Sequence, residues 1–175
     1  MIRELSLLGV GFLLVALESA IGTVTRIGPL MPNAVLPIVI YLGMAPDVTL
    51  ARAATVSFLL GLLVDSASGN AMGLMTFVHV ATLVASRVGS LRLIMRGRAS
   101  QVLITALLAA LGSLLVVGLR SLFRPDESFH VSSTRQLLIA IIAPSLSTGA
   151  IAPFIFQLVR RVDTLRRRDD SASFS

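Results

Sequence analysis

The sequence predicts an all-α integral membrane protein: one six-transmembrane helix bundle whose second span is short, with a tilted or re-entrant segment as the alternative there. Three observations support this. Of 175 residues, 55% are hydrophobic and only 14% are Asp, Glu, Lys or Arg, against about 25% charged in a soluble domain. Long apolar blocks alternate with short charged punctuation, the pattern of spans and their loops. Arginine supplies all 15 basic residues, and it flanks the apolar blocks.

The blocks run over Leu5–Thr25, Leu30–Met44, Leu50–Asp65, Ala71–Val88, Gln101–Phe123 and Gln136–Val159. A hydrocarbon core of about 30 Å asks for roughly 20 helical residues. Spans one, four, five and six meet that length. Spans two and three fall short, and Pro37 lies inside the second, which makes a tilted or re-entrant segment the main alternative there. The first block also resembles the apolar part of a signal peptide. Arg3-Glu4 before it has no net side-chain charge, however, and further spans follow.

Net charge is +6. A basic chain suggests nucleic acid, but arginines at the ends of apolar blocks act as interfacial anchors and set topology. No nucleic-acid partner is expected. With no cysteine, disulfides, thiolate nucleophiles and cysteine metal sites are excluded.

With six spans and both termini cytoplasmic, eleven arginines lie inside and Arg26, Arg120, Arg124 and Arg135 outside, a positive-inside distribution. A five-span arrangement with the N-terminus outside exchanges Arg3 for Arg26 and scores the same. Charge therefore orients the C-terminal two-thirds and leaves the first span open. Residues 1–159 form one bundle. Residues 160–175 form a basic cytoplasmic tail, partly disordered, whose Arg160, Arg161, Arg166, Arg167 and Arg168 are expected on anionic headgroups at about 1 kcal/mol each. The polar stretch Arg124–Arg135 is the one sizeable outer loop.

Span three carries Ala53, Ser57, Gly61 and Asp65 at intervals of four, along one helical ridge. Such ridges admit a close neighbour, and Gly69, Gly73, Ala81, Ala85 and Gly89 suggest a second ridge on span four. The two read as a tight hairpin with its turn at Ser66–Asn70. Asp65 at the ridge end is costly to bury unpaired. It reads as an N-cap or turn-closing acceptor taking donors from Ser68 to Ala71, or else as a proton-relay or ligand carboxylate. Glu18 and His79 lie within spans and read as structural hydrogen-bonding groups or as lone functional ones. Neither has a second acid or histidine at metal-ligand spacing. No nucleophile elbow, His-Glu-x-x-His pair or phosphate loop is present, so no enzymatic activity and no cofactor are expected. Pro144 and Pro153 are expected to interrupt the last span, either as packing kinks or as a broken helix lining a substrate site.

These pieces in their order resemble the MreD family of rod shape-determining proteins. The likeness rests on Pro32-Asn33 opening span two, Tyr41 within it, Gly61-x-x-x-Asp65, Asp65-x-x-Ser68-Gly69-x-x-x-Gly73, and Ala152-Pro153-Phe154-Ile155-Phe156 with Leu158 and Arg160-Arg161. Thr148-Gly149 departs from the asparagine-glycine common in the family, which weakens any argument for a polar contact there. Spans one and five match only in apolarity.

The resemblance implies a non-enzymatic inner-membrane component of the cell-wall elongation machinery, with Pro32, Asn33, Tyr41, Gly61, Asp65, Ser68, Gly69, Gly73 and Pro153 as structural or partner-binding positions. It implies MreC as direct partner and, through the complex, MreB, RodA and its penicillin-binding transpeptidase. It also implies a helix arrangement similar to the substrate-binding subunits of energy-coupling-factor vitamin transporters, so a transport subunit is the alternative. One tyrosine and no tryptophan speak against an aromatic-lined vitamin site.

Overall fold

A computed structural model describes residues 2–25, 31–68, 72–90, 98–123 and 134–172. These residues form α1 (Ile2–Thr25), α2 (Leu36–Met44), α3 (Leu50–Ser68), α4 (Leu74–Ser90), α5 (Arg98–Phe123) and α6 (Thr134–Ala172). Four helices, α1, α3, α5 and α6, are long and apolar enough to cross a membrane, and α4 is a shorter apolar helix of the same kind. Their outward faces carry Phe12, Leu13, Phe58, Leu107, Leu114 and Phe154, all largely exposed. An apolar outer surface suits lipid as solvent.

Helix α2 is the centre of the bundle. Its sequence LPIVIYLGM is apolar all round, and seven of its nine residues are buried, as befits a helix enclosed on every side. It packs on α4, α6, α3 and α5, while α3–α4 and α5–α6 form hairpins and α1 lies on α3. Nine residues rise only about 14 Å, less than half the ~30 Å core. The expected span Leu30–Met44 is thus a short buried helix led in by residues 31–35 without regular structure. Pro37 sits at the helix start, where its missing N–H costs nothing.

Helices α1 and α3 run in the same direction. Gly11 lies against Leu60, and one turn pair further on Glu18 shares a cavity wall with Val64 and Ser68. Two parallel neighbours require the chain between them to return across the bundle, which the 31–44 segment does.

The structure corrects three sequence expectations. Helix α3 continues to Ser68, so Ser66 to Ser68 are helical and not part of the turn; Gly69 and Asn70 lie outside the described residues. The last helix is not broken: α6 is continuous through Pro144 and Pro153. Hydroxyls of Ser145 and Ser147 bond the Ile141 and Pro144 carbonyls within the turn around the first proline, a usual accommodation in apolar surroundings. It also runs past Val159 to Ala172, making the start of the expected tail helical; residues 173–175 lie outside the described residues.

The third correction concerns the α3–α4 contact. Ala53, Ser57, Gly61 and Asp65 are all buried, and a Cβ on Gly61 would overlap the Thr76 backbone. The α3 ridge is therefore the close-approach surface. The α4 side of the contact is not the glycine–alanine ridge, since Gly89 has open space beside it and Ala81 and Ala85 are only half-buried. Helix α4 buries Thr76, Val78, His79, Thr82, Leu83 and Ser86. The reason is register: Asp65 fixes Thr76 against Gly61, and the inward face then repeats from Thr76.

Candidate functional site

Three ionisable side chains hold the ends of helices. At the first, the Asp65 carboxylate is 2% exposed and reaches from the end of α3 to the start of α4. Oδ2 accepts from the Gly73 N–H at 3.0 Å, the Thr76 N–H at 3.1 Å and the Thr76 hydroxyl at 2.7 Å, and Oδ1 from the Met75 N–H at 2.8 Å. A helix start exposes unpaired N–H groups and the positive end of its dipole, so a buried carboxylate there is compensated. The donors lie further along than the Ser68–Ala71 stretch expected to supply them. Gly69 to Ala71 are outside the described residues, and the Ser68 hydroxyl donates to the Val64 carbonyl. Gly73 has φ of 93°, which favours glycine and aims its N–H back at Asp65.

At the second, Asn33 Oδ1 accepts from the Val35 and Leu36 N–H groups at 3.2 and 3.1 Å, capping α2. Two other helices complete the cap: Glu18 of α1 accepts from the Ala34 N–H at 3.3 Å, and the Thr148 hydroxyl of α6 from the Asn33 N–H at 2.9 Å. The departure from asparagine at 148 therefore keeps a polar contact, with threonine as acceptor. Gly149 beside it brings α6 close to α5, since a Cβ there would meet Ala106 at 2.9 Å and the Val102 carbonyl at 3.1 Å.

At the third, Arg87 of α4 clamps the other end of α2. Its guanidinium donates to the carbonyls of Ala45 at 2.7 Å, Val48 at 3.0 Å and Gly43 at 3.4 Å. Five donors on a planar fork suit several carbonyls at once. Gly43 permits this approach, because a Cβ there would meet the Leu83 carbonyl at 2.9 Å.

Between the first two nodes and the α5–α6 hairpin lies a chamber of about 280 Å³, lined among others by Glu18, Met31, Asn33, Arg120, Pro144 and Thr148. A second cavity of about 270 Å³ lies between α1 and α3 and shares Glu18, Met31, Val64 and Ser68 with it. His79 is fully buried beside these elements, and its Nδ1 donates to the Met75 carbonyl at 2.7 Å. Ser57 Oγ, His79 Nε2 and Thr105 Oγ1 are buried without a hydrogen-bond partner among the described residues.

The sequence-predicted positions therefore separate into groups. Gly61, Asp65 and Gly73 meet at the α3–α4 hairpin; Asn33 and Ser68 line the chamber; Pro32 is half-buried just before the α2 cap. Tyr41 packs a tilted ring on Phe156 at 6.1 Å, where α2 meets α6 near Pro153. Arg160 and Arg161 are exposed on α6, the side chains of Arg166, Arg167 and Arg168 lie outside the described residues, and so does Gly69. Sequence reasoning missed Arg87 and Arg120, which it counted only as topology charges. The signal was present for Arg87, the sole arginine of α4, at the level of the α2 C-terminus in an antiparallel bundle.

A helical bundle with a short buried helix capped at both ends by side chains of its neighbours defines a polytopic membrane protein whose buried polar groups hold backbone. The model of the rod shape-determining protein MreD matches residues 2–162, and the chain belongs to the MreD family. It is thus a cell shape-determining membrane protein of the elongation machinery, whose family is involved in the rod-shape complex with MreC and others. No curated protein and no solved structure matches it.

Proposed function

We propose that this protein acts by binding other membrane proteins of the elongation complex, MreC directly and MreB, RodA and the penicillin-binding transpeptidase through it. The observation that carries the reading is the use made of Asp65, Glu18 and Arg87. Each spends hydrogen bonds on the backbone of another element, as a scaffold requires. A partner meets lipid-facing helix surfaces and the rim near Met72, which is 82% exposed. A partner helix in the bilayer joined to a domain outside would use both, and linkage raises the effective concentration for the second contact.

The parallel course of α1 and α3 supports six crossings, and the excess of arginine on one side supports placing both termini in the cytoplasm. Because the chain has no cysteine, single Arg3→Cys and Asn70→Cys variants give clean labels. In intact spheroplasts an impermeant thiol reagent is expected to label position 70 and spare position 3. Labelling at 3 with protection at 70 rejects the six-span orientation.

Co-purification from native membranes tests the partner. MreC is expected with the unaltered protein, and Met72→Glu, or a bulky residue at Gly69, is expected to reduce its recovery with melting unchanged. The chamber favours a second reading, a substrate-binding subunit similar to those of energy-coupling-factor transporters. Tight binding of a water-soluble vitamin, with no elongation component recovered, decides for that reading.

A further inference from the structure

We infer that the chamber is a headgroup site for a phospholipid bearing both a phosphate and a primary amine, with its chains leaving through the α1–α3 groove. The chamber wall carries one carboxyl group, Glu18 of α1, and one guanidinium, Arg120 of α5. Opposite charges on two different helices complement a zwitterionic head: the ammonium takes the Glu18 side and the phosphate the Arg120 side. Among the described residues Glu18 accepts one hydrogen bond, on Oε2 from Ala34, while a carboxylate accepts about four.

A further acceptor comes from α6. Pro144 has no N–H, so the Ala140 carbonyl lacks its helical donor, and both residues line the chamber. An ammonium needs several acceptors when it leaves water, and a quaternary amine has no N–H to give them.

Size separates head from chains. At about 280 Å³ the chamber lies just below the ~300–1,000 Å³ range of small-molecule sites, room for a headgroup and not for a whole lipid. The adjoining groove takes over at Glu18, Met31, Val64 and Ser68, and continues along Val15, Ser19, Gly22 and Ala67. Ser19 and Ala67 are exposed there, and Phe12, two turns before Ser19 on the same face of α1, is exposed as well, so the groove opens sideways to lipid. Its small residues leave width for a chain.

Native mass spectrometry of the full-length protein, offered equal amounts of phosphatidylethanolamine, phosphatidylcholine and phosphatidylglycerol with identical chains, tests the site. Retention of phosphatidylethanolamine is expected to exceed that of the other two by about fivefold or more, the equivalent of roughly 1 kcal/mol. Glu18→Gln keeps an acceptor for Ala34 and is expected to bring the three lipids level. Arg120→Gln is expected to lower all three, and Arg135→Gln, at an exposed residue outside the chamber, to change nothing. Ala67→Phe fills the groove from an exposed position and is expected to reduce retention at unchanged melting temperature. Should the chamber variants misfold, Ala67→Phe and the wild-type preference still decide. Equal retention of the three lipids by the wild type, or retention indifferent to Ala67→Phe, reduces the bound lipid to an annular shell and overturns the proposal. Displacement by millimolar glycerophosphoethanolamine, without lipid selectivity, assigns the chamber to a soluble ligand instead. None of these outcomes depends on whether MreC is recovered.

Discussion

Asp65→Leu is expected to destabilise the bundle by about 3–6 kcal/mol. The leucine leaves three backbone N–H groups, of Gly73, Met75 and Thr76, facing an apolar side chain at a position 2% exposed. A buried donor left without an acceptor costs about 1–3 kcal/mol; this applies in full to the buried Thr76 N–H, water recovers part of the loss at exposed Gly73, and the Thr76 hydroxyl is free to rotate elsewhere. Against a total stability of order 5–15 kcal/mol, that loss empties much of the folded population. Asp65→Asn is intermediate, at about 1–3 kcal/mol. Its single carbonyl oxygen replaces either Oδ2, which takes three of the four bonds, or Oδ1, which takes Met75, and its NH₂ then confronts a donor. Detergent melting and steady-state membrane levels measure both variants. For a cap, rod-shape maintenance declines in step with protein level. An asparagine variant that melts like the parent but fails to maintain shape assigns Asp65 to proton transfer or ligand binding.

The part of the fold legible in sequence was the part governed by local periodicity. The spacing of Ala53, Ser57, Gly61 and Asp65 locates the close α3–α4 contact, and apolar length locates the long helices. What sequence did not reveal depends on register between helices. Ala81 and Ala85 have the spacing of a packing ridge on α4, yet the Asp65 cap rotates that helix so that Thr76, His79, Leu83 and Ser86 face inward. Pro144 and Pro153 carry the usual sign of a helix break. In α6 the lost hydrogen bonds are local and the adjacent serine hydroxyls occupy the turn, so the helix continues.

The cap of α2 was half legible. Asn33 before an apolar run marks a helix start, but Glu18, which accepts from Ala34, and Thr148, which accepts from Asn33, are 16 and 115 positions away from those residues in sequence, and only the packing of α1 and α6 brings them there. Short, enclosed and apolar, α2 has no lipid face and no length to span alone. Its position is defined by what grips its two ends. That makes the two caps complementary, one built from acceptors at the N-terminus and one from donors at the C-terminus, the arrangement that the helix dipole favours.

Arg87 is the test of the second grip. Arg87→Leu is expected to cost about 2–4 kcal/mol, since hydrogen bonds from a charged donor contribute about 1.5–3 kcal/mol each and two of the three, to Ala45 and Val48, are short. Arg87 is only half-buried, and solvent takes over part of the loss. Arg87→Lys keeps the charge and the topology count but presents one ammonium where three carbonyls are spread over Gly43 to Val48, so it recovers less than half of the loss. Orientation is expected to survive both, because ten cytoplasmic arginines still face four on the other side in the proposed topology. Hydrogen exchange locates the effect. Amides of residues 43–45 and 47–49 are expected to exchange at least tenfold faster in Arg87→Leu, while those around Asp65 keep their protection, because the two nodes share no partner. Unchanged melting, or faster exchange spread evenly over all six helices, rejects Arg87 as the clamp on α2 and returns it to the role of a topology charge.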